Sequence, residues 1–249
     1  MNAMLDIAAG FGLLETTLCI LRLHQMVVQA AWEDTDTLYQ LPGIGPEQAA
    51  RLRSKGIATL RDLALKGETA AANLLQRSGL TPVADGRGGS GGGSGGGRGT
   101  TVAMAMRALS AIPVVKDVTI EVRSADEEGM QGELVDGGEG EANVHVSIAT
   151  REGGHQGGRV KHSRSGAGSL WSPRFPKAKD VGWWIVLGTE QGELLALKRV
   201  GTLGPQDYNT TLRFPSPEGA TGTVPLILHV VADSVMGMDQ QGLTTVTVS

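Results

Sequence analysis

The sequence predicts an α+β chain, with helices in its first half and an antiparallel β-sandwich in its second. Three observations predict it. Before Pro113, apolar residues recur at three- and four-residue steps; after it, they alternate or run in short blocks; and glycine, proline and aspartate punctuate those blocks. The chain has 249 residues, enough for one large domain or two small ones. Its 37 glycines are about twice average usage and cluster in loops.

Within residues 13–32, Leu14, Leu18, Leu21, Met26 and Val28 form the apolar side of a helix. Arg22, Gln25 and Gln29 share one polar stripe on it. Glu33-Asp34-Thr35-Asp36 then supplies cap-type residues for the next helix. Residues 1–37 are thus expected to be the end of a helical bundle. Residues 38–80 read as a helix-hairpin-helix followed by a short helix over 68–77, with Ser78-Gly79 as its stop. Residues 81–100 are a glycine-rich, low-complexity insert expected to be flexible, because it has no apolar surface to bury. Residues 101–113 form a connecting helix that Pro113 ends.

From residue 114 to 249 seven strands are expected. They are 118–122, 144–148, 183–187, 194–200, 208–214, 224–231 and 243–248. Seven short strands over this length suggest an immunoglobulin-like (fibronectin III-like) antiparallel sandwich. One of Trp183 and Trp184 should face the sandwich core. The other, on the opposite face, should cover the sheet or mark a protein interface.

Composition removes several function classes. One cysteine, Cys19, excludes an internal disulfide and a cysteine-based zinc site. No apolar run approaches the ~20 residues of a membrane-spanning helix, and the start Met1-Asn2-Ala3-Met4-Leu5-Asp6 lacks the basic flank of a signal peptide. There is no phosphate-loop motif and no nucleophile elbow, and the histidines lack metal-ligand spacing. Neither an intrinsic enzyme nor a bound cofactor is therefore expected, and a nuclear or cytoplasmic setting is. The net charge of −4 has the wrong sign for bulk attraction to nucleic acid, so any such contact must be local. Two loops are strongly charged: residues 126–141 hold seven acids and no base, and residues 159–179 hold six bases and no acid.

The run Leu41-Pro42-Gly43-Ile44-Gly45-Pro46 carries the most chemistry. A tight glycine turn can aim backbone N–H groups at a phosphate without reading a base. The amides of Gly43, Ile44 and Gly45 are the candidates, with Arg51, Arg53 and Lys55 nearby, and both glycines are expected at positive φ. The stripe Arg22, Gln25 and Gln29 can track the backbone of a single strand, and Trp32 beyond it can stack on a base or anchor a core.

Gly182-Trp183-Trp184-Ile185-Val186-Leu187-Gly188, Leu197-Lys198-Arg199-Val200-Gly201 and Met236-Gly237-Met238-Asp239-Gln240-Gln241 follow the helices and the glycine hairpin. In that order they resemble the Sec-63 homology unit that ends each cassette of large Ski2-type superfamily 2 helicases. Residues 172–180 and Met4-Leu5-Asp6-Ile7-Ala8-Ala9 look like the activating signal cointegrator complex subgroup. The resemblance covers nearly the whole chain except the glycine-rich insert. It implies a non-catalytic accessory module of an ATP-dependent helicase. The helix carrying Arg22, Gln25 and Gln29 would act as a ratchet on single-stranded DNA or RNA, and the hairpin would close the exit of the strand channel. The sandwich would dock the motor domains or a partner protein, with Trp183 and Trp184 as contact residues. Two alternatives accompany it. One is a pure protein-interaction scaffold. The other is a fragment of endoplasmic-reticulum translocation machinery, which shares the family name but whose membrane spans have no match here.

Overall fold

The computed structural model describes residues 1–81, 102–125, 132–149, 170–204 and 206–249. Most of the glycine-rich insert, the start of the acidic loop and residues 159–169 of the basic loop lie outside the described residues. The chain divides into two compact units. One comprises Met1–Ala30, Pro113–Thr150 and Val181–Ser249; the other comprises Ala31–Ile112 and Arg151–Asp180.

The first unit holds helices α1 (Asn2–Gly10) and α2 (Leu14–Gln29) and the eight strands found among the described residues. Strands β1 (Val115–Ser124), β3 (Glu139–Ile148) and β6 (Tyr208–Pro215) form one antiparallel sheet in the order β1-β3-β6. Strands β2 (Glu133–Leu134), β4 (Trp183–Thr189), β5 (Leu194–Val200), β7 (Gly222–Ala232) and β8 (Gln240–Val248) form the other, in the order β2-β8-β7-β4-β5. Two sheets face to face make the expected α+β immunoglobulin-like sandwich. All seven expected strands are present. The eighth, β2, pairs in parallel with Thr247 and Val248 at the end of β8; two residues carry no alternation, so no sequence period announces them.

The inward faces follow the period-2 rule. Val118, Val122, Val144, Val146, Leu212 and Phe214 are buried on the three-stranded side, and Trp183, Leu187, Leu226, Leu228, Val230 and Val246 on the other. The outward face of the three-stranded sheet is polar, as suits a sheet with one face in water. There Glu141 accepts from Arg123 and Arg213, both at 3.1 Å, and these bonds hold its carboxyl below the usual range.

The outward face of the five-stranded sheet is covered over part of its area by α1 and α2. Leu5, Ala8, Leu14, Ile20 and Leu21 pack with Trp184, Val186, Leu194 and Val231 in one buried cluster. The corner between the helices is tied to the β4–β5 hairpin: Leu14 N–H donates to Gly192 O at 3.1 Å, and Leu194 N–H donates to Gly12 O at 2.7 Å. Close packing leaves no room for a side chain at Gly188, where an added Cβ would sit 2.7 Å from Leu14 Cδ2. Trp183 and Trp184 do point to opposite faces, at 0% and 8% exposure. The expectation that they meet a partner protein is therefore corrected: one indole fills the sandwich and the other lies beneath this unit's own helices.

The second unit begins with a single 3-10 turn, Thr37–Gln40, followed by α3 (Pro46–Arg53), α4 (Leu60–Ala64), α5 (Glu68–Arg77) and α6 (Val102–Ser110). Local signals set these boundaries. Asp36 accepts from Leu38 N–H at 3.0 Å, Pro46 occupies the first turn of α3, and Thr59 and Asp62 cap α4 reciprocally. The core of this unit is Leu38, Ala49, Leu52, Ile57, Leu60, Leu63, Ala71 and Leu75, all at most 1% exposed.

Candidate nucleic-acid interface

The glycine turn joins the 3-10 turn to α3. Leu41, Pro42 and Ile44 are buried, so the turn is anchored from inside, while Gly43 is exposed. Gly43 has φ +79, where a glycine is favoured. Gly45 does not: its φ of −118 with ψ −169 is ordinary extended backbone, which corrects the expectation of positive φ at both glycines. The positive φ on the far side of α3 belongs to Gly56, also at +79, in the turn toward α4.

The three candidate amides are not equivalent. Ile44 N–H donates to Leu41 O at 3.3 Å, and Gly45 N–H donates to Gln48 Oε1 at 3.1 Å. Both are occupied within the turn. The Gly43 amide has no partner among the described residues. The three cations also differ. Arg51 pairs with Glu47 and donates to Ser78 O at 3.3 Å, and Arg53 pairs with Asp36. Lys55 is exposed and makes no ion pair among the described residues. Gly43, ahead of the first turn of α3, and Lys55, beyond its last turn, are thus the candidates without an internal partner among the described residues, while Arg51 and Arg53 are engaged. Trp32, in the same unit, is 76% exposed.

The stripe on α2 belongs to the sandwich unit, and there the structure corrects the sequence reading. Gln25 is buried at 2% exposure; its Nε2 donates to Ala232 O at 2.7 Å and to the Asp239 carboxylate at 3.0 Å. Gln29 Nε2 donates to Ser234 O at 2.7 Å. Both amides are turned onto the β7–β8 connection: Gln25 places both of its donors there, and Gln29 places one of its two. Arg22 is the exposed member of the stripe, in the field of Asp239. Sequence reasoning missed Asp239 because its partner lies at the other end of the chain.

Charge separates along the same division. The sequence ranges of the sandwich unit hold 6 Lys and Arg against 17 Asp and Glu, a formal net charge of −11; those of the helical unit hold 16 against 9, a net of +7. The chain's −4 is the sum of two opposite charges.

Among the described residues no group of His, Cys, Asp or Glu is placed to hold a metal ion, and no helix is long and apolar enough to cross a membrane.

Residues 1–244 match the family model described as Sec63 Brl domain. The human activating signal cointegrator 1 complex subunit 3 is 29% identical over 96% of this chain and 11% of its own length. The DExH-box ATP-dependent RNA helicase DExH14 of Arabidopsis thaliana is 27% identical over 97% of this chain and 9% of its own. The chain thus spans about a tenth of the length of these relatives. Among solved structures, a CARDB domain from Pyrococcus furiosus aligns over 55% of this chain and 90% of its own, at 14% identity and a TM-score of 0.30.

Proposed function

The chain belongs to the Sec63 Brl domain family, and on that premise we propose that it is a non-catalytic accessory module of an ATP-dependent helicase. Its helical unit guides single-stranded DNA or RNA. The observation that carries this reading is the division of charge. A chain of net −4 is a poor polyanion ligand, but the described residues of the helical unit hold 10 Lys and Arg against 7 Asp and Glu, with Gly43 exposed and Lys55 in no ion pair among the described residues. Contacts of this kind go to phosphate and carry no sequence preference.

The test is fluorescence anisotropy of the full chain with labelled single-stranded oligo-dT and oligo-U. Weak binding that falls with salt is expected. Lys55→Glu should weaken it about fivefold and flatten the slope of log K against log salt by about 0.7 per lost contact. Binding unchanged by Lys55→Glu, in a chain with unaltered circular dichroism, overturns the assignment.

A second observation favours docking to the motor domains. On α1 and at its C-cap, Met4, Ile7 and Phe11 are 48%, 62% and 76% exposed, and on α2, Leu23 and Val27 are 41% and 51% exposed. These residues recur at helical spacing on the sides turned away from the sheet. Such an uncovered apolar surface is a contact for another protein body. Ile7→Lys with Phe11→Lys should abolish co-purification with separately expressed motor domains and leave oligonucleotide binding intact. A scaffold that binds protein alone would lose the first and show none of the second.

A further inference from the structure

A groove in the sandwich unit is used by neither reading. It lies between α2 and the outward face of β7 and β8 and encloses about 500 Å³. Glu15 and Arg22 line it from the helix, His229 and Gln241 from the sheet, and Asp239 from the β7–β8 connection. Arg22 is engaged electrostatically with Asp239. Glu15 is exposed and has no ion pair among the described residues. One step along the same face of the sheet, Ile227 pairs with Leu243, and Leu243 is 72% exposed. The groove therefore presents the Glu15 carboxylate, which faces His229, and just beyond its lining, on the same sheet face, lies the bare aliphatic side chain of Leu243.

We propose that this groove docks an extended, basic protein segment in which an apolar residue alternates with lysine or arginine. The apolar side chain covers Leu243 and Ile227. The cationic one, two residues along on the same side of an extended chain, reaches Glu15 beside the His229–Gln241 pair. Charge selects this occupant: the described residues of the unit hold 6 Lys and Arg against 14 Asp and Glu, a net of −8, which gathers cationic partners and repels nucleic acid. The apolar pair supplies the anchor, since rim charges mainly steer encounter while a desolvated contact holds the complex. The proposal does not depend on the helicase reading.

The test uses the full chain and a labelled twelve-residue peptide of alternating leucine and lysine, followed by anisotropy. Leu243→Ser and Glu15→Lys should each weaken binding about fivefold or more. Both residues are exposed, and a thermal melt checks that the fold is kept. Glu218→Lys makes the same charge change on an exposed residue outside the groove and should weaken binding less than about twofold. The proposal is overturned if Glu218→Lys weakens binding as much as Glu15→Lys, if a leucine–glutamate peptide binds equally well, if a single-stranded oligonucleotide competes for the groove, or if the leucine–lysine peptide does not bind.

Discussion

The Gln25 side-chain amide and the Asp239 carboxylate, 214 positions apart in sequence, meet at 3.0 Å. The same amide reaches Ala232 O at 2.7 Å, and Asp239 also accepts from Ala232 N–H at 3.0 Å. One buried glutamine thus pins α2 to the β7–β8 connection and satisfies groups at both ends of that connection. Gln25→Leu keeps the volume but strips a donor from a carbonyl and a carboxylate. It is expected to cost about 1–3 kcal/mol, read as a shift in the urea midpoint. A shift equivalent to less than about 0.5 kcal/mol, no more than an ordinary surface substitution, would contradict this account.

A second prediction concerns Gly182. Its N–H donates to Asp233 Oδ1 at 3.0 Å, and Asp233 N–H donates back to Gly182 O at 2.8 Å. A Cβ at 182 would stand 2.6 Å from Asp233 Oδ2. Asp233 is 1% exposed and lies 3.9 Å from Arg199, whose guanidinium sits over the Trp184 ring at 5.8 Å. Gly182→Ala must push a buried carboxylate away from its partners, and a loss of about 2–4 kcal/mol is expected. Thermal unfolding measures it. Gly201→Ala, where nothing lies within 4 Å of an added Cβ, is the matched control and should change little.

A third prediction is a stabilisation. Ala30 ends α2 with φ +49 and ψ +48, and among the described residues it is the one non-glycine at positive φ. Glycine adopts this conformation without the Cβ penalty. Ala30→Gly is therefore expected to raise stability by about 0.5–1 kcal/mol, even though glycine substitutions elsewhere in a helix lower it. A fall in the melting temperature would refute the assignment of Ala30 as a strained cap.

A fourth prediction follows from His229. Burial pushes its pKa below the usual value, and the nearby charge of Glu15 only partly offsets this. A histidine with a depressed folded pKa binds its proton more readily when the chain is unfolded. Its contribution is thus complete above the unfolded value of about 6.5 and declines as pH falls below it. Asp239, raised by burial to about 6, works in the opposite direction over the same range, so the His229 contribution is read as the difference between wild type and His229→Gln in unfolding measured from pH 8 to pH 5. In His229→Gln that part of the pH dependence should shrink. An unchanged profile would show that other groups govern it.

The sandwich was legible in the sequence because period-2 alternation is a local signal. Leu194–Val200 begins and ends where expected, and the opposite faces of Trp183 and Trp184 follow from adjacency alone. What covers Trp184 was not legible. The covering surface comes from α1 and α2, more than 150 residues away, and a strand pattern does not say what lies above it. The polar stripe of α2 failed for a related reason. Gln25 and Gln29 have the spacing of a solvent face, and a buried polar seam has the same spacing. The glycine turn fared in between: its position could be read from residues 41–46, but the use of Gln48 to occupy the Gly45 amide could not.

The ties that fasten α2 to the sheet also make it a mechanical element. Its first turn is held to the β4–β5 hairpin through Leu14 N–H and Gly192 O, its middle to Ala232 and Asp239 through Gln25, and its last turn to Ser234 through Gln29. Three attachment points spread over 16 residues oppose sliding or swivelling of the helix on its own. A load applied anywhere along α2 passes into the five-stranded sheet, so helix and sandwich travel as one stiff lever.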